Sequence, residues 1–313
     1  MNYFRFLVFI AFALLVTVTL LNAKTSRGQS PAATKTSRDG VLRSTVKPTA
    51  AVRERRAKPT AESDFGPSLF GPAAARNALL SNELNWTFGG KQQRGWYLYT
   101  PLISRLLDTA DNTPPADFAS ALAHWQEKSG LGPSGVLDEA TLYAMVSEWQ
   151  SARLKERAYP APDQLVTAPA ADFYDPSRPD ELRQVERETY TAYKRMIAAA
   201  AADQSLGLAL SVDGRLAPAE NYLKILSSFR TREYQERLRQ QSPNSGRAGL
   251  AVNSPHFTGR ALDLYVGGDP VETKDSNRAL QIQTPVYLWL VRNAERFGFH
   301  PYFYEPWHWE YVN

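Results

Sequence analysis

Ser254-Pro-His256-Phe-Thr-Gly259-Arg-Ala261-Leu-Asp263-Leu-Tyr-Val266 sets a histidine, a glycine turn and a carboxylate within one short apolar run. From Arg260 to Val266 the residue types suit a strand, and Gly267-Gly268 ends it. Gly259 permits a tight backbone path into that strand. Asp263 falls inside it, where an unpaired buried carboxylate is costly and a cation relieves the cost. A second segment, Glu305-Pro306-Trp307-His308, adds another histidine and another carboxylate. Pro306 cannot donate to a ladder, so the chain bends there or lies at an edge. A bend brings residues 305 and 308 toward one point, which an ideal strand would not do.

Two of the four histidines lie in these segments, and the chain has no cysteine. Disulfides and thiolate metal sites are therefore excluded. His256, Asp263 and His308 make three candidate ligands for Zn2+, and Glu305 is left over beside them. That is the inventory of a catalytic zinc site, with three protein ligands, an open position and a base. A third segment, Ser227-Ser228-Phe229-Arg230-Thr-Arg-Glu-Tyr-Gln235, places Arg230 where a strand gives way to a helix. A guanidinium there suits an oxyanion or a substrate carboxylate.

Working outward, residues 181–202 read as a helix ending in an alanine run, Tyr222 to Phe229 alternates like a strand, and Thr231 to Gln241 reads as a helix. A helix over 276–297 precedes Gly298, and a strand-like aromatic run spans Phe299 to Val312. The pattern predicts an α+β catalytic domain over 181–313, a small antiparallel sheet with helices against one face. Five prolines between 158 and 182 mark a semi-stiff linker over 153–180. Residues 81–152 read as a small all-α domain. Phe118, Leu122 and Trp125 recur at helical spacing, Gly130 to Gly135 form a turn cluster, and Asp138 is an N-cap candidate for a second helix.

The net charge of +4 is unevenly spread. Residues 24–60 hold ten Lys/Arg against two Asp/Glu, so the rest of the chain is net acidic. The basicity belongs to a disordered linker over 24–80, which excludes a nucleic-acid-binding face on a folded domain. Residues 6–22 are almost all apolar. They predict a signal peptide or membrane anchor over 1–23, and either takes the chain into the export pathway. The basic excess after this run argues the other way under the positive-inside rule.

Taken together, the three C-terminal segments resemble the zinc D-alanyl-D-alanine carboxypeptidases, close to the VanY-type and L,D-carboxypeptidase branch. That family shows Ser-x-x-Arg-x-x-x-x-Gln, Ser-x-His-x-x-Gly-x-Ala-x-Asp and Glu-x-Trp-His. This chain has Ser227, Arg230 and Gln235; Ser254, His256, Gly259, Ala261 and Asp263; and Glu305, Trp307 and His308. The resemblance implies that His256, Asp263 and His308 bind zinc, that Glu305 is the catalytic base, and that Arg230 steadies the scissile carbonyl or its oxyanion. It implies substrate contacts for Ser254, Gln235 and Ser227. Residues 121–138 resemble the peptidoglycan-binding repeat found on wall hydrolases, with Trp125-Gln126, Gly130-Leu131 and Gly135-Val136 at the recurring positions.

The implied function is hydrolysis of peptidoglycan stem peptides in the cell envelope, as a D,D- or L,D-carboxypeptidase. The location follows from the substrate and overrides the charge rule. Ser228-Phe229 stands where the family usually has Gly-Tyr, Glu310 stands where a basic residue is common, and the loop before Glu305 is short. These departures leave open an endopeptidase with a wider cleft. A non-catalytic wall-binding protein with a structural zinc is the alternative from another class, and Glu305 argues against it.

Overall fold

Pro72 opens the first helix, α1 (Gly71–Glu83), whose alanine-rich sequence favours helix over the disorder expected up to residue 80. The computed structural model describes residues 69–242 and 250–312, so the N-terminal apolar run and residues 24–68 of the basic stretch lie outside the described residues. Among the described residues, no helix is long and apolar enough to cross a membrane. A hairpin follows α1, with β1 (Asn85–Phe88) and β2 (Lys91–Arg94) turning at Gly89-Gly90, both at positive φ. The sequence reading of this part as all-helical missed that hairpin, because its strands are short and mostly polar.

Next come α2 (Thr100–Leu106), α3 (Pro115–Lys128) and α4 (Glu139–Ser151). Asp138 caps α4 by accepting the Thr141 N–H at 2.9 Å. Buried Gln126 fastens the turn between α3 and α4, donating to Val136 O and Thr141 Oγ1 and accepting from Gly135 N–H, each at 2.9 Å. Asn77 of α1 grips the same turn at Gly135 O and Leu137 N–H, both at 2.8 Å.

The proline-rich stretch that follows carries β3 (Leu165–Thr167), paired with β4 (Gln184–Glu186), and buries Ala168 and Phe173. Helix α5 (Arg187–Ala202) starts on a Glu186 carboxylate cap. Among the described residues the remaining α-helices are α6 (Arg232–Gln241), α7 (Asp275–Gln281) and α8 (Pro285–Asn293). The sequence predicted one helix over 276–297. Pro285 cannot donate within a helix, so the chain breaks at Thr284, which caps α8 instead.

Four strands form the central antiparallel sheet in the order β5 (Ile225–Ser227), β6 (Ala261–Leu264), β8 (His308–Tyr311), β7 (Phe299–Pro301). Leu262, Leu264, Trp309 and Tyr311 are buried, and the alternating positions Asp263, His308 and Glu310 point to the other face. The aromatic run after Phe299 is two strands rather than one, joined through a turn at residues 302–307.

The helical part lies directly on this sheet's end. Phe303 reaches Phe88 at 4.7 Å and Tyr99 at 5.3 Å between ring centroids, and stacks on Trp149 at 5.8 Å. The short loop before Glu305 is therefore walled by the helical part, with Tyr302, Phe303 and Tyr304 all buried.

Candidate metal centre

One rung of the sheet places three polar residues side by side. Asp263 on β6 faces Ser227 on β5 and His308 on β8. His256 arrives from a 3-10 turn, Pro255–Thr258, that leads into β6 through Gly259. Gly259 has φ +68, and a Cβ there would meet Glu186 N at 2.9 Å, so the turn needs glycine. Ser254 caps that turn by accepting the His256 N–H at 3.3 Å. Glu305 precedes β8 in a turn closed by the His308 N–H to Glu305 O bond at 2.9 Å. The bend expected at Pro306 is this turn.

His256 Nε2 lies 3.3 Å and His308 Nδ1 2.8 Å from the same oxygen, Asp263 Oδ1. The three residues are buried, and one ligand atom from each falls within 4.8 Å of the others. Tetrahedral zinc with bonds of roughly 2.0–2.1 Å separates its ligand atoms by about 3.3 Å, so a cation fits here with little adjustment. Each imidazole uses its other nitrogen on an acceptor. His256 Nδ1 donates to Ser228 O at 2.7 Å, and His308 Nε2 lies 3.2 Å from Glu310 Oε1. That arrangement fixes ring orientation in metal sites.

The electrostatics differ between the two rings. Burial and then the Arg230 charge lower the pKa of His256 to about 4, against the pull of Asp263. Burial also disfavours charge on His308, yet hydrogen bonds to Asp263 and Glu310 outweigh it and lift the pKa to about 9. Burial opposes ionisation of Asp263, but the imidazoles and the Arg230 guanidinium hold its carboxyl well below the usual range. Glu305 differs from all of these. It is 7% exposed, and among the described residues its carboxylate has no hydrogen-bond partner. Burial raises its pKa to about 8, with the His308 charge opposing.

Arg230 is anchored at every nitrogen. Nε donates to Ser227 Oγ at 2.8 Å, Nη1 to Gln235 Oε1 at 3.2 Å, and Nη2 to Asp263 Oδ2 at 2.6 Å. Gln235 also donates through Nε2 to Ala251 O at 3.0 Å. Ser227, Gln235 and Ser254, expected from the resemblance to touch substrate, thus make their hydrogen bonds within the scaffold around Arg230 and His256. Ser228 Oγ donates to Gln184 O, and Phe229 meets Tyr159 edge-on. Glu310, expected to bear on substrate choice, is fully buried and turned toward His308 and Arg153. Arg153 escaped the sequence reading, since nothing local ties it to a strand 157 positions away.

Residues 182–313 match the family of VanY, D-alanyl-D-alanine carboxypeptidase. No curated protein matches the chain significantly. The family match and the buried His–Asp–His group coincide, and residues 182–313 are a VanY D-alanyl-D-alanine carboxypeptidase domain.

Proposed function

We propose that this carboxypeptidase binds one zinc ion through His256 Nε2, Asp263 Oδ1 and His308 Nδ1, and removes the C-terminal D-alanine of peptidoglycan stem peptides outside the cytoplasm. The observation that carries the reading is the meeting of three buried ligand atoms beside Glu305, whose carboxylate accepts no hydrogen bond among the described residues. A structural zinc site is closed by four protein ligands and has no use for a group such as Glu305. When bound, zinc supplies Lewis acidity and lowers the pKa of a water to about 7.

The chain's own residues do the rest. Glu305 takes the proton from the attacking water and returns it to the leaving amine nitrogen. In the metal-free site burial raises its pKa to about 8, and a cation held beside it would lower that value toward the range in which a carboxylate accepts a proton at neutral pH. Arg230 has five N–H donors, of which three are engaged. Among the described residues, one N–H on each terminal nitrogen is left to meet the carbonyl oxygen as charge develops on it. The same guanidinium holds Asp263 Oδ2, leaving Oδ1 for the metal.

The test is mass spectrometry of purified wall fragments after incubation with the protein, with and without chelator. Loss of a single C-terminal alanine from pentapeptide stems, abolished by chelator and restored by zinc, is expected. Unchanged pentapeptides, or cleavage only within cross-links, overturns the reading.

A further inference from the structure

Glu310 joins the metal centre to the helical part of the molecule. It is fully buried, two positions beyond His308 and on the same side of β8. Its Oε1 lies 3.2 Å from His308 Nε2. The same oxygen accepts Arg153 Nε at 3.0 Å and pairs with Arg153 Nη2. Its Oε2 accepts the Leu154 N–H at 2.9 Å. Arg153 and Leu154 are the residues just after α4. Arg153 is itself held there, donating through Nη1 to Gln150 Oε1 at 2.8 Å, with its guanidinium carbon 3.9 Å from the Tyr302 ring centre.

We propose that the Arg153–Glu310 pair positions His308 for the metal, so that the end of the helical part is a working portion of the zinc site. The inference rests on the zinc reading above. With a metal on Nδ1, the ring keeps its proton on Nε2 and needs an acceptor there. Glu310 supplies it, which fixes both the tautomer and the ring plane. Arg153 and the Leu154 N–H in turn fix the carboxylate and compensate its buried charge. Both lie upstream of residues 182–313, the part matched by the family, whereas Glu310 lies within it.

The experiment uses the full-length protein and two readouts besides turnover: zinc affinity by chelator competition, and the visible absorption spectrum of the Co2+ form. Glu310→Ala should weaken zinc by about 10–100-fold and shift the Co2+ bands. Glu310→Gln keeps an acceptor but loses the charge, and should recover part of the affinity. Arg153→Ala should weaken zinc and shift the Co2+ bands, and Arg153→Lys should fall between it and wild type. A pair that merely clamps two parts of the fold would lower the unfolding temperature of the metal-free protein and leave affinity and spectrum alone; that result overturns the inference. Where an alanine variant fails to fold, Glu310→Gln and Arg153→Lys decide, and wild-type affinity and spectrum in both overturn it. His256→Ala is the control for the site itself. Wild type binding zinc no better than His256→Ala sinks the zinc reading, whereas normal binding in the Arg153 and Glu310 variants sinks only this inference.

Discussion

Asp263 and His308 stand directly opposite each other on adjacent strands, with Oδ1 and Nδ1 2.8 Å apart. The second oxygen of Asp263 is held by Arg230 at 2.6 Å. One carboxylate thus serves the metal with one oxygen and anchors a cation with the other. Asp263→Asn keeps the shape and removes the charge. Elemental analysis should find zinc near background, and the metal-free variant should be less stable by about 3–5 kcal/mol because Arg230 loses its buried anionic partner. Stoichiometric zinc in this variant at wild-type affinity would exclude Asp263 as a ligand.

Glu305 offers the opposite separation of metal and chemistry. Glu305→Gln removes the proton acceptor but no ligand. Turnover should fall by about 10²–10⁴-fold while zinc content stays at one per chain. A variant that loses zinc and activity in parallel would make Glu305 a ligand instead of a base.

Two groups in the metal-free site have raised pKa values, His308 at about 9 and Glu305 at about 8. Both bind protons more tightly in the folded than in the unfolded chain. Their contribution to metal-free stability is complete below the unfolded values and is lost as pH rises through 8 to 9. Zinc affinity moves the other way, because His308 must shed a proton to offer Nδ1. Between pH 6.5 and 9 the metal-free unfolding midpoint should fall while zinc affinity climbs. Titration calorimetry in buffers of different ionisation enthalpy should show proton release on binding at pH 7. Proton uptake there would contradict the charged state of the free His308 ring.

Arg230 links binding to catalysis. Arg230→Ala should cost about 10²–10³-fold in kcat if its free N–H groups meet the developing oxyanion, and should also weaken zinc through Asp263. Arg230→Lys can reach Asp263 but cannot also hold Ser227 and Gln235 in one plane. Zinc affinity should largely return in the lysine variant while kcat stays low. Equal kcat/KM in wild type and Arg230→Ala would remove it from the mechanism.

The candidate ligands were legible because each has a local signature: a histidine before a turn glycine, a carboxylate inside an apolar strand, and a histidine after a proline bend. Asp138 was readable as a cap for the same reason. What lay hidden depends on pairs far apart in sequence. Glu310 reads as an odd charge after an aromatic pair until Arg153 is placed against it. The short loop before Glu305 suggested an open cleft because nothing local reveals that Phe88, Tyr99 and Trp149 cover Phe303. Pro285 is a local signal for the break between α7 and α8, and the single helix read over 276–297 runs through it.

Phe303 lies two positions before Glu305 and is buried among rings from β1, the 3-10 turn before α2, and α4. Phe303→Ala should leave a cavity and cost about 3–5 kcal/mol, because those rings belong to different elements and cannot all close in. The cavity also loosens the turn that carries Glu305, while His256, Asp263 and His308 keep their own hydrogen bonds. Turnover should therefore drop more than zinc affinity does. Calorimetry should show one transition at lower temperature, since the helical part and the sheet share this cluster. Two transitions, with the upper one unmoved by the substitution, would mean that the aromatic contact does not couple them.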